Sequence, residues 1–309
     1  MTTALITHPD CLRHETPPGH PEQVARLSRV LEALEGKEVA RITAPLVAED
    51  DLLRVHPKAY VDSIRAAAPA KGHAQIDADT WMSPGSLSAA HRAAGGAVRA
   101  VDLVLGGEAR RAFVAARPPG HHAERETAMG FCLFGNVAIA AKHALDHHGL
   151  ARVAVVDFDV HHGNGTQDLL EDDPRALFIS SHQFPLWPGT GTADETGPHG
   201  TVMNLPIAPG TGSKDFRRLY EEKVFPRVRD FAPELILVSA GFDAHRADPL
   251  AELQLETADF AWITDRLCDL ADDCCGGRLV SCLEGGYDLD ALAASVAAHV
   301  DRLIAREEG

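Results

Sequence analysis

Four short apolar runs in this chain each break off into a cluster of histidine, aspartate or tyrosine, and no other sequence feature constrains the fold as much. Residues 153–158 lead into Asp159-Val160-His161-His162-Gly163-Asn164, and 235–239 lead into Gly241-Phe242-Asp243-Ala244-His245. Residues 112–116 lead into Arg117-Pro118-Pro119-Gly120-His121-His122, and Leu279–Leu283 leads into Glu284-Gly285-Gly286-Tyr287-Asp288. Apolar runs of this length suit strands buried on both faces, as in a parallel sheet. Similar runs occur at Ala4–Thr7, 177–180 and 202–205. Between the runs, Ser86–Leu105, 136–148, 214–231, 257–273 and Leu289–Ala305 place apolar residues three and four apart, the helical spacing. Alternating strands and helices predict βαβ units, an α/β fold with helices on both faces of a parallel sheet. In open sheets of this kind ligands bind beyond the carboxyl ends of the strands, so the four clusters are expected to meet at one crevice.

Length alone suggests about two domains. The 309 residues hold no linker of Pro/Ser/Gly type, no repeat and no low-complexity tract, so one domain spanning 1–309 is the expectation. A formal charge of −16 disfavours a phosphate backbone as a direct partner, and no glycine-rich phosphate motif is present. The six cysteines form no CxxC pairs and read as free thiols of a reducing compartment. The polar N-terminus does not resemble a signal peptide, and no apolar run reaches membrane-spanning length, so a cytoplasmic protein is expected.

Asp159 and His161 stand two apart, and in extended chain such residues face the same side, where both can reach one ion. Asp243 offers a third ligand. Two carboxylates and one imidazole would leave a tetrahedral zinc an open position. Asp157, two residues before Asp159, reads equally as a ligand, as a partner for a histidine or as part of a cation site. His121 and His122 follow a Pro-Pro-Gly turn and offer a general base and a general acid, with Asp157 and Asn164 available to fix their tautomers. Tyr287, after two glycines, can donate a hydrogen bond to an oxyanion. Phe131 and Trp187 either line a slot for an alkyl chain or belong to the core. His73, His91, His143, His147 and His148 have no constellation around them and read as solvated or helix-surface residues.

Five blocks in register resemble the histone deacetylase superfamily: Arg117-Pro-Pro-Gly-His-His, Gly130-Phe-Cys-Leu-Phe-Gly-Asn136, Asp157 to Gln167, Ser239 to Pro249 and Leu283-Glu-Gly-Gly-Tyr287. Gly19-His-Pro-Glu22 and Asp79-Thr80 extend the match. Asn164 and Glu284-Gly-Gly resemble the class II branch and its bacterial amidohydrolase relatives.

The resemblance implies the arginase/deacetylase fold, one α/β domain around a mostly parallel sheet of about eight strands. It implies that Asp159, His161 and Asp243 hold Zn2+, and that His121 and His122 are the acid/base pair backed by Asp157 and Asn164. It implies that Tyr287 polarises the scissile carbonyl. Gly130, Phe131, Trp187, Leu250 and His20 would bind the substrate, and Arg26 would lie beneath the site. A structural K+ would be held near Asp157, Asp159, His161 and Ser180. Gly163 and Gly241 stand where the second metal of arginases would need carboxylates, which disfavours a binuclear enzyme. Leu250 stands where the polyamine-selective relative has a glutamate, which favours an acyl-lysine-like substrate. The expectation is a zinc-dependent amidohydrolase acting on acyl-lysine or a similar acylated amine, with no nucleic-acid or membrane partner. The alternatives are an acetylpolyamine amidohydrolase and a non-catalytic acyl-lysine binder; a homo-oligomer is compatible with either.

Overall fold

The computed structural model describes residues 2–305, and in it the apolar runs become strands. In chain order these are β1 (Ala4–Thr7), β2 (Ala40–Thr43), β3 (Ala74–Gln75), β4 (Trp81–Met82), β5 (Arg111–Val114), β6 (Val153–Asp157), β7 (Ala176–Gln183), β8 (Val202–Ile207), β9 (Leu235–Ala240) and β10 (Leu279–Leu283). Eight of them form one sheet in the order β2-β1-β5-β10-β9-β6-β7-β8, while β3 and β4 make a separate two-stranded ribbon. Every pairing in the large sheet is parallel. Strands β5, β6, β7, β9 and β10 are buried at every residue, as expected of strands covered on both faces.

Strand β2 escapes the sequence reading for a physical reason. It lies at the sheet edge, and its four residues alternate between half-buried and exposed, so Ala-Arg-Ile-Thr carries no continuous apolar signal. The helices Val24–Ala33, Lys58–Ala67 and Asn164–Leu170 also carry too short a periodic stretch to stand out. The segment read as one helix over 214–231 is three pieces: Ser213–Leu219, a π turn at Tyr220–Val224, and Phe225–Phe231. Pro226 has no N–H to give to the preceding turn, and the wider turn absorbs the break, with Phe225 N–H donating to Tyr220 O. Helix Thr257–Cys275 begins where expected because Glu256 and Asp259 form a reciprocal capping box. The long helix Ser86–Leu105 lies close on the chain after β2: a Cβ at Gly95 would stand 2.2 Å from Pro45 O, so only glycine permits the approach.

The sheet order decides where the chemistry collects. The four strands that end in polar clusters, β5, β10, β9 and β6, are neighbours at the centre of the sheet. Because all four run parallel, their carboxyl ends open at the same edge. Among the described residues no helix is long and apolar enough to cross a membrane.

Candidate active site

Asp159, His161 and Asp243 come together beyond β6 and β9, with ligand atoms within 4.8 Å of one another and all three residues buried. The extended-strand argument for the Asp159–His161 pair does not describe how they meet. Strand β6 stops at Asp157, and the chain then folds into a turn in which His161 N–H donates to Asp159 Oδ1 at 2.9 Å. Other backbone groups fix the remaining oxygens: Val160 N–H donates to Asp243 Oδ1 at 2.9 Å and Gly285 N–H to Asp159 Oδ2 at 2.8 Å. Glycines wall the carboxylates in. A Cβ at Gly241 would fall 2.0 Å from Asp159 Oδ2, and one at Gly285 would fall 2.1 Å from Asp243 Oδ2. Neither position has room for any side chain, so Gly241 is required by packing as well as unable to hold a second ion.

His161 Nδ1 lies 3.1 Å from Asp243 Oδ2 and 3.3 Å from Asp159 Oδ1. Burial opposes a charge on this imidazole, yet the two carboxylates prevail and raise its pKa to about 10. Burial pushes Asp243 up to about 7, with Asp159 adding to the effect. Two buried anions around one nitrogen demand a positive charge, and a divalent cation meets that demand better than one proton. The donor set fits zinc, which takes nitrogen and carboxylate oxygen and in catalytic sites uses three protein ligands.

His121 and His122 stand side by side with ring centroids 3.9 Å apart. Asp157 Oδ2 lies 2.9 Å from His121 Nδ1, and Asn164 Oδ1 lies 2.8 Å from His122 Nδ1. The Asn164 amide is oriented by Glu124, whose Oε1 accepts from its Nδ2 at 2.8 Å. Its oxygen therefore faces His122, which carries its hydrogen on Nδ1 and keeps Nε2 as a free base. Burial works against protonation of both rings. Asp159 and Asp157 overcome it at His121, whose pKa is held well above the usual value. At His122 burial wins, reinforced by the charge of His121, and the pKa falls well below the usual value. Glu284 supports the pair from behind, accepting the N–H groups of Gly120 and His121 on Oε2 at 2.7 and 3.2 Å.

A cavity of about 210 Å³ opens over these groups. His122, His161 and Tyr287 line it together with Gly130, Phe131, Trp187, Leu186, Leu250 and Asp79. Gly130 and Phe131 both take positive φ, +56° and +68°. For phenylalanine this conformation is strained and persists only where the surroundings impose it. Asp79 Oδ1 and Thr80 Oγ1 do so, accepting the Gly130 and Phe131 N–H groups at 3.2 and 3.1 Å. Trp187 stands edge-on to His122 at 4.7 Å and is 41% exposed. His20 is not among the lining residues. It packs edge-on behind Phe131 at 4.8 Å and props that wall, with its Nε2 held 2.9 Å from Asp79 O.

Tyr287 is placed by its backbone and by Arg26. Its N–H donates to Asp248 Oδ2 at 2.7 Å, and the Arg26 guanidinium lies 4.8 Å from its ring centroid. Arg26 also donates to the carbonyls of Gly286 and Glu284, both at 2.5 Å, so one buried cation fixes the whole Glu-Gly-Gly-Tyr turn. Asp248 serves Leu250 as well, accepting its N–H on Oδ1 at 3.0 Å. Sequence reasoning gave no role to Asp248, Glu124 or the Glu284 side chain. Each acts on a neighbour's backbone or amide, which leaves no signal in residue type or spacing. Ser180 sits on β7 in register with Asp157, and its hydroxyl lies 3.0 Å from His182 Nδ1.

This sheet and this polar edge match known proteins. The family model for the histone deacetylase domain matches residues 20–303. A probable deacetylase of Archaeoglobus fulgidus is 39% identical over 94% of this chain and 82% of its own. The human polyamine deacetylase HDAC10 is 38% identical over 98% of this chain, which spans 48% of that protein. Among solved structures, the HDA15 HD domain superposes with a TM-score of 0.93 at 34% identity, covering 98% of this chain and 88% of that one. The chain belongs to the histone deacetylase family, and it is an enzyme of the hydrolase class.

Proposed function

We infer that this chain is a zinc-dependent deacylase that hydrolyses N-acyl-lysine or a similar acylated amine, with residues 1–309 acting as one catalytic domain. The observation that carries the reading is that His122, His161 and Tyr287 line one cavity, and that His161 also belongs to a buried ligand group with Asp159 and Asp243. Asp159, His161 and Asp243 would hold Zn2+, which when bound supplies a Lewis acid for the acyl carbonyl and a more acidic water.

The chain's own groups do the rest. His122 presents an unprotonated Nε2 towards the cavity and accepts the proton of the attacking water. Tyr287 donates its hydroxyl hydrogen to the carbonyl oxygen as negative charge develops there. His121, held by Asp157 at its Nδ1, packs beside His122 and supports that ring. The proton on His122 then passes to the departing amine as the C–N bond breaks, leaving a carboxylate and an amine. Phe131 and Trp187 exclude water from the alkyl chain of the substrate. A K+ ion beside Asp157, Asp159, His161 and Ser180 is proposed as a structural support of the same strand ends.

Leu250 is apolar, and a buried second ammonium would meet no compensating anion from it, which favours acyl-lysine. A second reading, an acylated polyamine, is favoured by Asp79, a carboxylate lining the cavity, and by the activity named for the human relative. Turnover of an acetyl-lysine peptide against acetylspermidine and acetylputrescine, with and without chelator, separates the readings. Chelator-resistant hydrolysis, or none on any acylated amine, would overturn the zinc deacylase reading.

A further inference from the structure

A second cluster of imidazoles lies away from the cavity. His143, His147 and His148 place their ring nitrogens within 4.8 Å of one another, and among the described residues this cluster and the Asp159/His161/Asp243 group are the two with that property. The sequence reading took these three histidines as unconnected surface residues, and the structure corrects it. His143 and His147 are four apart, so they share a helix face, and their rings stack with centroids 4.6 Å apart. His148 follows at the helix end with its ring 5.0 Å from that of His147.

Two features turn proximity into a ligand set. Asp102, on the neighbouring helix, places one oxygen, Oδ1, 2.8 Å from both His143 Nε2 and His148 Nε2. The Nε2 atoms of His143, on one helix, and of His148, just past its end, thus meet one oxygen of Asp102 on the other helix, with the His147 ring beside them. On the far side, His143 Nδ1 lies 2.9 Å from Asp51 Oδ1, and Asp51 is itself paired with Arg54 at 2.9 Å. A carboxylate on one imidazole nitrogen with the other nitrogen aimed at a shared point is the usual arrangement behind a metal-bound histidine: it fixes the ring and the tautomer. His143 is nearly buried, while the side chains of His148 and Asp102 are 26% and 33% exposed, so an ion has a route in. Helices Ser86–Leu105 and Asn136–Asp146 both end close by, and the negative poles of their dipoles favour a cation. These helix ends feed β5 and β6 from their amino ends, opposite the catalytic edge.

We propose that His143, His147, His148 and Asp102 form a second divalent-metal site, of three imidazoles and one carboxylate, selective for zinc-class ions such as Zn2+, Co2+ and Ni2+ over Mg2+ and Ca2+. The site goes beyond the deacylase reading and does not rest on it. It clamps the ends of two helices together, independent of the ion in the catalytic cavity.

Equilibrium dialysis of the metal-loaded enzyme against Zn2+, and separately Co2+, with metal counted by mass spectrometry, tests the proposal. The wild type is expected to rise from roughly one to roughly two ions per chain, and its thermal midpoint to rise with Zn2+ concentration. The double variant His147→Ala/His148→Ala, in exposed positions that leave the fold intact, is expected to stay at the lower count, lose the Zn2+-dependent thermal shift and keep turnover within about two-fold. A wild type that never takes up the second ion, or a double variant that takes it up equally well, overturns the site. Absence of the first ion or of hydrolysis would instead count against the deacylase reading.

Discussion

His121 and His122 stand with ring centroids 3.9 Å apart, yet their proton affinities diverge: Asp159 and Asp157 outweigh burial at His121, whereas burial and the charge of His121 prevail at His122, whose Nδ1 meets only the Asn164 amide oxygen. A buried carboxylate favours imidazolium, whereas an amide oxygen only fixes the tautomer. Replacing the amide should therefore move one titration. Asn164→Asp places an anion on His122 and raises its pKa, so the free base is lost at higher pH than in the wild type. The acid limb of the kcat/KM against pH profile is expected to shift upward; an unmoved limb would show that His122 is not the base.

Tyr287 lines the cavity, where its hydroxyl is proposed as the oxyanion donor. Tyr287→Phe is expected to lower kcat by roughly 100-fold or more, the cost of one oxyanion donor, with metal content unchanged. Steady-state kinetics together with metal analysis check both halves. Turnover close to wild type would reassign the residue.

Metal binding at Asp159, His161 and Asp243 competes with protons. The two carboxylates raise His161 to about 10, so below that pH an incoming cation must displace a proton from the imidazole. Apparent zinc affinity is expected to fall steadily as pH drops from 8 to 5.5 (on the order of tenfold per unit for one proton released), measured by competition with a chromogenic chelator. Asp243→Ala should lose both the ion and hydrolysis.

Gly241 has no space for a side chain, since its Cβ would fall 2.0 Å from Asp159 Oδ2. Gly241→Ala should displace that carboxylate, weaken zinc binding at least tenfold by the measure used for misplaced ligand supports, and leave far-ultraviolet circular dichroism unchanged. Wild-type affinity would mean that the turn yields without disturbing the ligand.

Stability depends on a buried ionic knot below the site. Glu22 pairs with both Arg26 and Arg117, all three without solvent exposure. Burial resists the Glu22 charge, but Arg117 and the bonded His14 hold its pKa well below the ordinary value. A depressed carboxyl stabilises the fold above its unfolded pKa of about 4.3 and loses that contribution as pH falls. Glu22→Ala leaves two guanidinium groups uncompensated and should cost about 3–5 kcal/mol in urea unfolding at neutral pH. A loss below ~1 kcal/mol would place the knot among exposed pairs in energetic terms.

Much of this was legible in the chain. Continuous apolar stretches such as Val153–Asp157 and Leu279–Leu283 announce buried strands because a covered strand has no solvent face to alternate towards. The abrupt change to His, Asp and Tyr at their ends marks where chemistry can sit, since those residues are costly to bury without a task. What stayed hidden depends on contacts between distant segments. Edge strand Ala40–Thr43 is half solvated, and the roles of Asp248 and Glu124 lie in bonds to another segment's backbone or amide.

The sequence by itself determined the strand–helix alternation, the four polar strand ends and the residue types of the ligand set, because these follow from local periodicity and side-chain chemistry. Only the tertiary structure decided that β5, β10, β9 and β6 are neighbours, that Phe131 is held at positive φ, and that His143 and His148 meet Asp102 with His147 beside them. Strand order and helix packing are set by long-range burial, and burial alone converts residues more than a hundred positions apart into one site.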